Sequence, residues 1–369
     1  MNLEDDATDP VRYWVAFSLV EGIGPIRLRR LWEYFESLED AWGASATDLC
    51  AAGLDARLAA TLARGARPLA PADAVVERAR RGGMTLLTMA HPGYSQRLLT
   101  MDDAPPILYI RGTLASDDAL CLAVVGTRMM SSYGREVTHR FVTDLARARL
   151  TVVSGLARGV DTCAHRAALE AGGRTIAVLG SGLDIIYPSE NAALARAIVE
   201  RGALISEFPP GTKPDPPNFP RRNRIVAGMT MGTLVTEAGK GSGALLTGKL
   251  ALDYNREVFA VPGPIYARGS EGVNAVIRRG EAKLVSKAEH ILEELQLDGA
   301  PEQLAFRIEQ PDDPVERQLL ALLTPEPQHI DLLTRQSALP SHVVSSALTM
   351  LELKGAARQV GGLQYVRGH

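Results

Sequence analysis

Between residues 119 and 297 the chain repeats one pattern, a short and almost wholly apolar run followed by a longer stretch whose apolar residues recur every three or four positions. The runs are LCLAVVG, LTVVSG, RTIAVLG, ALISEF, GTLVTEA, EVFAVPG and KLV. They are rich in β-branched residues and too apolar for a half-exposed sheet, so they predict strands covered on both faces. Intervening stretches such as YGREVTHRFVTDLARA have helical spacing. Strand and helix in alternation predict an α/β fold, an extended Rossmann-like, doubly wound and mostly parallel sheet.

The flanks carry other patterns. Over residues 11–66 apolar positions fall three and four apart in YWVAFSLV and LRRLWEYF, around the turn EGIGP, which predicts an N-terminal all-α module over 1–70. The turn at Ile23 and Gly24 resembles that of a helix-hairpin-helix, whose backbone amides can hold a phosphate at a helix N-terminus. The acidity of the module favours a plain interhelical turn. Residues 71–118 are expected to connect this module to the core, with turns marked by Pro-rich pieces. After the core, 298–311 reads as a polar linker, and 312–369 predicts three helices and a β-ribbon, a winged helix. Its third helix offers Ser341, His342, Ser345 and Ser346 with only Lys354 basic, which points to contact with protein instead of duplex DNA.

A length of 369 residues suits two or three domains, and 46% hydrophobic with 22% charged residues is the composition of a soluble globular protein. No apolar run approaches the roughly 18 residues of a membrane span, and the opening MNLEDDATDP is acidic, unlike a secretory signal, so a cytoplasmic location without membrane contact is expected. Cys50, Cys121 and Cys163 lie far apart without metal-ligand spacing, so they read as buried thiols and no metal or cofactor is expected. The net charge of −3 conceals a division: residues 1–70 hold 7 basic and 11 acidic side chains, and residues 119–295 hold 22 and 17. An anionic polymer should therefore prefer the central domain.

Three of the expected strands end in glycine turns, Gly126-Thr127-Arg128, Ser154-Gly155-Leu156-Ala157-Arg158-Gly159 and Gly180-Ser181-Gly182. In an open parallel sheet such ends line one crevice, where glycine lets backbone approach a ligand and helix N-termini aim amides at an anion. Glycine there can equally serve turn geometry alone. Arg128 and Arg158 directly follow their turns and can fork onto a phosphate. Further on, Asn218-Phe219-Pro220-Arg221-Arg222-Asn223-Arg224 places three arginines beside an aromatic ring, the mixture that single-strand binding employs, although a solvated charge run would look the same.

Gly243 to Gly248 followed by Lys249 imitates a P-loop, but Leu250 supplies no metal-binding hydroxyl, which argues against ATP hydrolysis. Asp161, His165 and Glu237 are the remaining candidates for chemistry, and no nucleophile elbow, ligand pair or GxGxxG accompanies them. Asp161 and His165, four apart on one helix, are expected to hydrogen-bond structurally. No catalytic residue is expected.

Together the strings VVGTR, YGRE, VVSGLARGVDTCAHRAAL, TIAVLGSGLDIIYPSEN, ISEFPPGTKP, FPRRNRIVAG, TEAGKGSGALLT, REVFAVPG and GVNAVIRRGEAKLV resemble the DprA/Smf family over nearly the whole chain. The resemblance implies single-stranded DNA binding without sequence preference, protection of DNA entering during natural transformation, and transfer of the strand to RecA after displacement of single-strand-binding protein. It also implies a homodimer, no catalytic activity, and SAM-like or helix-hairpin-helix and winged-helix modules flanking the core. Carried over by motif, Arg128, then Ser154, Gly155 and Arg158, then Phe219, Arg221, Arg222 and Arg224 form the DNA pocket, with Gly126, Ala157, Asn223 and Lys240 completing the surface. Thr127 stands where the family commonly has Ser, and Ala244 removes a hydroxyl from the loop that usually reads Ser-Gly-Ser.

Two other classes compete. Gly232-Thr233 and Glu237 match half the signature of LOG-type nucleoside monophosphate phosphoribohydrolases, but Ala227 to Met231 stand where its Pro-Gly-Gly should precede. A transcription factor acting through the winged helix is disfavoured by that domain's 5 basic against 6 acidic residues.

Overall fold

A computed structural model describes residues 11–64, 68–297, 313–324, 327–353 and 357–367. The chain divides into two compact units, Met1–Ile291 and Leu292–His369.

The first unit opens with helices α1 (Val11–Ser18), α2 (Pro25–Phe35), α3 (Leu38–Gly43), α4 (Ala46–Ala51) and α5 (Ala56–Ala63). Their starts are written in the chain: Pro25 opens α2, and the Ser37, Ser45 and Asp55 side chains accept the N–H of Asp40, Asp48 and Leu58. The apolar stripes converge on fully buried Trp14, Phe17, Leu28, Leu31, Leu38 and Leu49. Helix α6 (Ala70–Arg81) packs on α1 and so extends the helical layer past residue 70.

Residues 71–118 do more than connect. They supply most of α6, strand β1 (Thr85–Thr88), short helix α7 (Gln96–Leu99) and strand β2 (Ile107–Gly112). β1 and β2 pair antiparallel, and β2 pairs antiparallel with a core strand. The expected core follows as β3 (Cys121–Val125), α8 (Ser132–Arg147), β4 (Thr151–Ser154), α9 (Val160–Glu170), β5 (Thr175–Val178), α10 (Ala192–Arg201), β6 (Ala203–Ser206), α11 (Asn218–Gly228), β7 (Gly232–Val235), α12 (Gly243–Asp253), β8 (Glu257–Ala260), α13 (Glu271–Arg278), β9 (Lys283–Leu284) and α14 (Glu289–Glu294).

All seven expected strands form, and β3 to β9 run parallel in a nine-stranded sheet of order β1-β2-β6-β5-β4-β3-β7-β8-β9. Every residue of β3, β4, β5, β6 and β7 is buried, as their unbroken apolar pattern requires. The order reverses between β3 and β7, so the carboxyl ends of these strands flank the place where such sheets bind ligands. Here the pairing of β3 and β7 continues beyond the strand ends, with Thr127 N–H donating to Glu237 O at 2.7 Å.

The second unit holds α15 (Pro314–Leu322), β10 (Gln328–His329), α16 (Ile330–Ser337), α17 (Ser341–Leu353), β11 (Ala357–Gly361) and β12 (Gln364–Arg367), with an antiparallel sheet of order β10-β12-β11. Leu319, Leu333, Val344, Leu348, Leu351 and Tyr365 form its core. The expected linker 298–311 lies outside the described residues. Among the described residues no helix is long and apolar enough to cross a membrane, and no His, Cys, Asp and Glu cluster could hold a metal. Of the three cysteines expected to be buried, only Cys121 is; Cys50 is exposed and Cys163 half-buried.

Candidate nucleic-acid interface

Helix α11 decides how the glycine turns are used. Phe219 and Arg222 are three residues apart and therefore share a face. A Cβ on Gly180 would lie 3.0 Å from the Phe219 ring, and one on Gly155 would lie 1.4 Å from Arg222 Nη1. These two glycines admit the protein's own side chains, where the sequence suggested room for a ligand. Arg222 is buried at 5% exposure, and its Nε has no hydrogen-bond partner.

The turn amides are also taken internally. Asp161, buried near the start of α9, accepts the N–H of Gly155 at 3.1 Å and of Ala157 at 3.3 Å. The expectation that this turn presents free amides to a phosphate is therefore corrected: its anion is a carboxylate of the same chain. Burial raises the Asp161 pKa, opposed first by the facing Arg222 charge. Ser154 is buried as well, its hydroxyl donating to Val124 O at 2.6 Å. Nor do Asp161 and His165 bond to each other. His165 Nδ1 meets Thr175 Oγ1 at 2.7 Å, and that hydroxyl donates to Val152 O, so Nδ1 carries the proton. Burial holds the His165 pKa down at about 3, which keeps the ring neutral.

Glu237, at the end of β7, is equally structural. It is buried and accepts the Ser131 N–H at 2.9 Å, a carboxylate placed at the N-terminal end of α8.

Exposed beside α11 are the groups that can meet a partner. Arg128 lies on the surface with its guanidinium carbon 5.5 Å from the Phe219 ring centroid, and the half-buried ring also meets Tyr187 at 5.8 Å. Gly126, half-buried, begins the same turn. Arg128 and Arg158 share the rim of a cavity of about 710 Å³, into which α8 and α9 also turn Arg135, His139 and Arg166. Arg135 and Arg166 escaped the sequence reading because neither adjoins a glycine turn. Their signal was helical: both are exposed arginines, on two helices that pack against each other. Arg158 is not free, since its guanidinium forks onto Glu190 with two contacts of 2.8 Å.

The other expected residues lie elsewhere. Arg221 is exposed on a different face of α11, 5.1 Å over the Phe208 ring, and lines a second cleft of about 690 Å³ with Arg27 and Arg30 of the N-terminal helices. Arg224 is buried in an ion pair with Glu207 and donates to Asp103 O. The sequence placed all three arginines at the pocket; a helix cannot, because Arg221 and Arg224, three residues apart, both turn toward Glu207 while Arg222 shares the face of Phe219. Asn223 is half-buried, and Lys240 is exposed in the turn after β7, lining neither cavity.

With this geometry in hand, the likeness to known proteins can be placed. Residues 85–296 match the family model of DNA recombination-mediator protein A, and residues 303–362 match the DprA winged helix domain. Protein Smf of Synechocystis is 34% identical, covering 96% of this chain and 98% of the relative. Protein Smf of Escherichia coli is 43% identical over 74% of this chain and 75% of its own length. Among solved structures, DNA processing protein A of Streptococcus pneumoniae superposes with a TM-score of 0.67 at 32% identity, covering 78% of this chain and 98% of that one. The Helicobacter pylori protein, whose structure concerns its single-stranded DNA binding mode, gives 0.53 at 27% identity over 58% of this chain and 96% of its own.

Proposed function

Because this chain belongs to the DNA recombination-mediator protein A family, we propose that it binds single-stranded DNA, through the surface that Arg128 and Phe219 form beside the arginine-lined cavity. The observation that carries this reading is the pairing of a half-buried ring with an exposed guanidinium that itself lines a cationic cavity. The cation meets phosphate, and the ring offers a π-face that any base can stack on, so binding of this kind tolerates all sequences. Arg221 and Lys240, exposed outside the cavity, are proposed as further contacts along the strand's path. The Helicobacter pylori relative, with its single-stranded DNA binding mode, supports the choice of ligand.

The family membership also motivates the finer reading. The chain would protect strands entering during natural transformation, displace single-strand-binding protein, load RecA, act as a homodimer in the cytoplasm and perform no catalysis.

The test is fluorescence anisotropy with a labelled strand of roughly 30 nucleotides and its duplex over a salt series, since single-strand and duplex binders differ in salt slope. We expect single-strand preference, affinity falling steeply with salt, and a loss of about 1.5–3 kcal/mol in Arg128→Ala, the worth of a hydrogen bond to a charged group. Salt-independent binding, or equal affinity for both forms, would overturn the reading.

A further inference from the structure

Both acidic side chains on the cavity wall engage its basic ones: Glu190 holds Arg158, and Glu170 meets His139 at 3.1 Å. The first pair is the more telling. Arg158 Nε and Nη2 each reach one carboxylate oxygen of Glu190 at 2.8 Å, which is also how a guanidinium grips two oxygens of a phosphate. The two side chains are 59% and 54% exposed, so water competes for the pair and little free energy holds it closed. The backbone beneath is fixed. Next to Glu190, Asn191 is buried and donates to Leu156 O at 2.9 Å and to Thr162 Oγ1 at 2.8 Å, which pins this short turn to the SGLARG loop. The carboxylate can therefore leave Arg158 while its backbone remains at the cavity.

The remaining wall gives an entering anion several partners. Arg128, Arg135 and Arg166 line the same space, and among the described residues none of them has a carboxylate within ion-pair distance. We propose that this cavity takes a phosphodiester group of the bound strand against Arg128, Arg135, Arg158 and Arg166, and that the Glu190 carboxylate occupies the phosphate position on Arg158 until the strand displaces it. The proposal rests on the single-strand reading above. Glu190 thereby sets the affinity: an anion on a fixed turn weakens binding of isolated phosphates and yields to a polymer that brings several at once.

The test uses the full-length chain and the same labelled strand. Glu190→Gln removes the competing charge and keeps the side chain's size. Glu136→Gln, on α8 beside Arg135 but off the cavity wall, controls for charge alone. We expect Glu190→Gln to bind about two- to fivefold more tightly than Glu136→Gln, the factor that an exposed ion pair withholds. Arg158→Ala should then cost more affinity in the Glu190→Gln background than in the wild type. Arg135→Ala and Arg166→Ala should each reduce the salt slope by about 0.7, one phosphate contact on a single strand. Weaker binding by Glu190→Gln would mean that the carboxylate only orients Arg158, and equality with Glu136→Gln would mean a bulk charge effect; either overturns the proposal. If the wild type binds no strand, the functional reading falls with it; if Arg128→Ala weakens binding while the two Gln variants agree, this inference falls alone.

Discussion

Replacing Arg222 by methionine separates an architectural arginine from a DNA-contacting one. The guanidinium is buried against Gly155 with the buried Asp161 as the opposite charge facing it. Removing one partner of a buried, contacting ion pair typically costs about 3–5 kcal/mol, because the other charge is left uncompensated. Asp161 retains two backbone N–H donors, and its carboxylate does not touch the guanidinium within ion-pair distance, so the cost falls at or below the bottom of that range. We expect a loss of about 2–3 kcal/mol. With a urea m-value near 3 kcal/mol/M the unfolding midpoint should fall by roughly 0.7–1 M. Adding Asp161→Asn should restore most of it, since no buried charge then remains. The deficit of Arg222→Met should also shrink as pH falls, because protonating Asp161 removes the same charge. Single-strand affinity, measured on folded variant, should stay within about twofold of wild type, as expected of a group without a phosphate contact. An unchanged midpoint together with lost affinity would refute the assignment and restore Arg222 to the DNA surface.

Other consequences are as direct. His165 has its folded pKa lowered to about 3 by burial, against an unfolded value near 6.5, so between these values only the unfolded chain binds the proton. Its contribution is complete above pH 6.5 and is lost on acidification, about 2 kcal/mol by pH 5, and His165→Gln should flatten that part of the urea-midpoint profile. Phe219→Ala should weaken single-strand binding by roughly 1–3 kcal/mol per stacked base with little change in the unfolding midpoint. A large fall in stability would show that the ring serves the Gly180 contact alone. Alkylation of the native protein should modify exposed Cys50 first and half-buried Cys163 slowly, and spare Cys121, whose thiol burial pushes up to about 12. Because Cys163 lines the arginine-rich cavity, bound strand should slow its alkylation further; an unaffected rate would place the strand elsewhere.

Five core strands, β3 to β7, were legible because burial on both faces leaves an unbroken apolar run, as in Leu122 to Val125; β8 starts at half-buried Glu257 and both residues of β9 are exposed, so the covering expected of all seven strands fails at this edge of the sheet. β1 and β2 were not. TLLT and ILYIRG lie among Pro-rich pieces, so they read as parts of a connector; the pairing of β2 with β6, distant in sequence, and of β1 with β2 makes them strands. The candidate site divides along the same line. Arg128 and Phe219 lie side by side at the surface, as a turn residue and an aromatic beside arginines suggested. The inward turn of Arg222 depends on α11 lying over the end of β4, where Gly155 makes room, and that of Arg224 on the buried side chain of Glu207 just after β6. A glycine turn in sequence announces a close approach, but not whether the approaching group is a ligand or the protein itself. At Gly155 the partner is a guanidinium of the same chain, and the turn's amides already hold the Asp161 carboxylate. Sites for an incoming phosphate should therefore be sought where arginines remain exposed, at Arg128, Arg135 and Arg166, and where one is held only by an exposed glutamate, at Arg158.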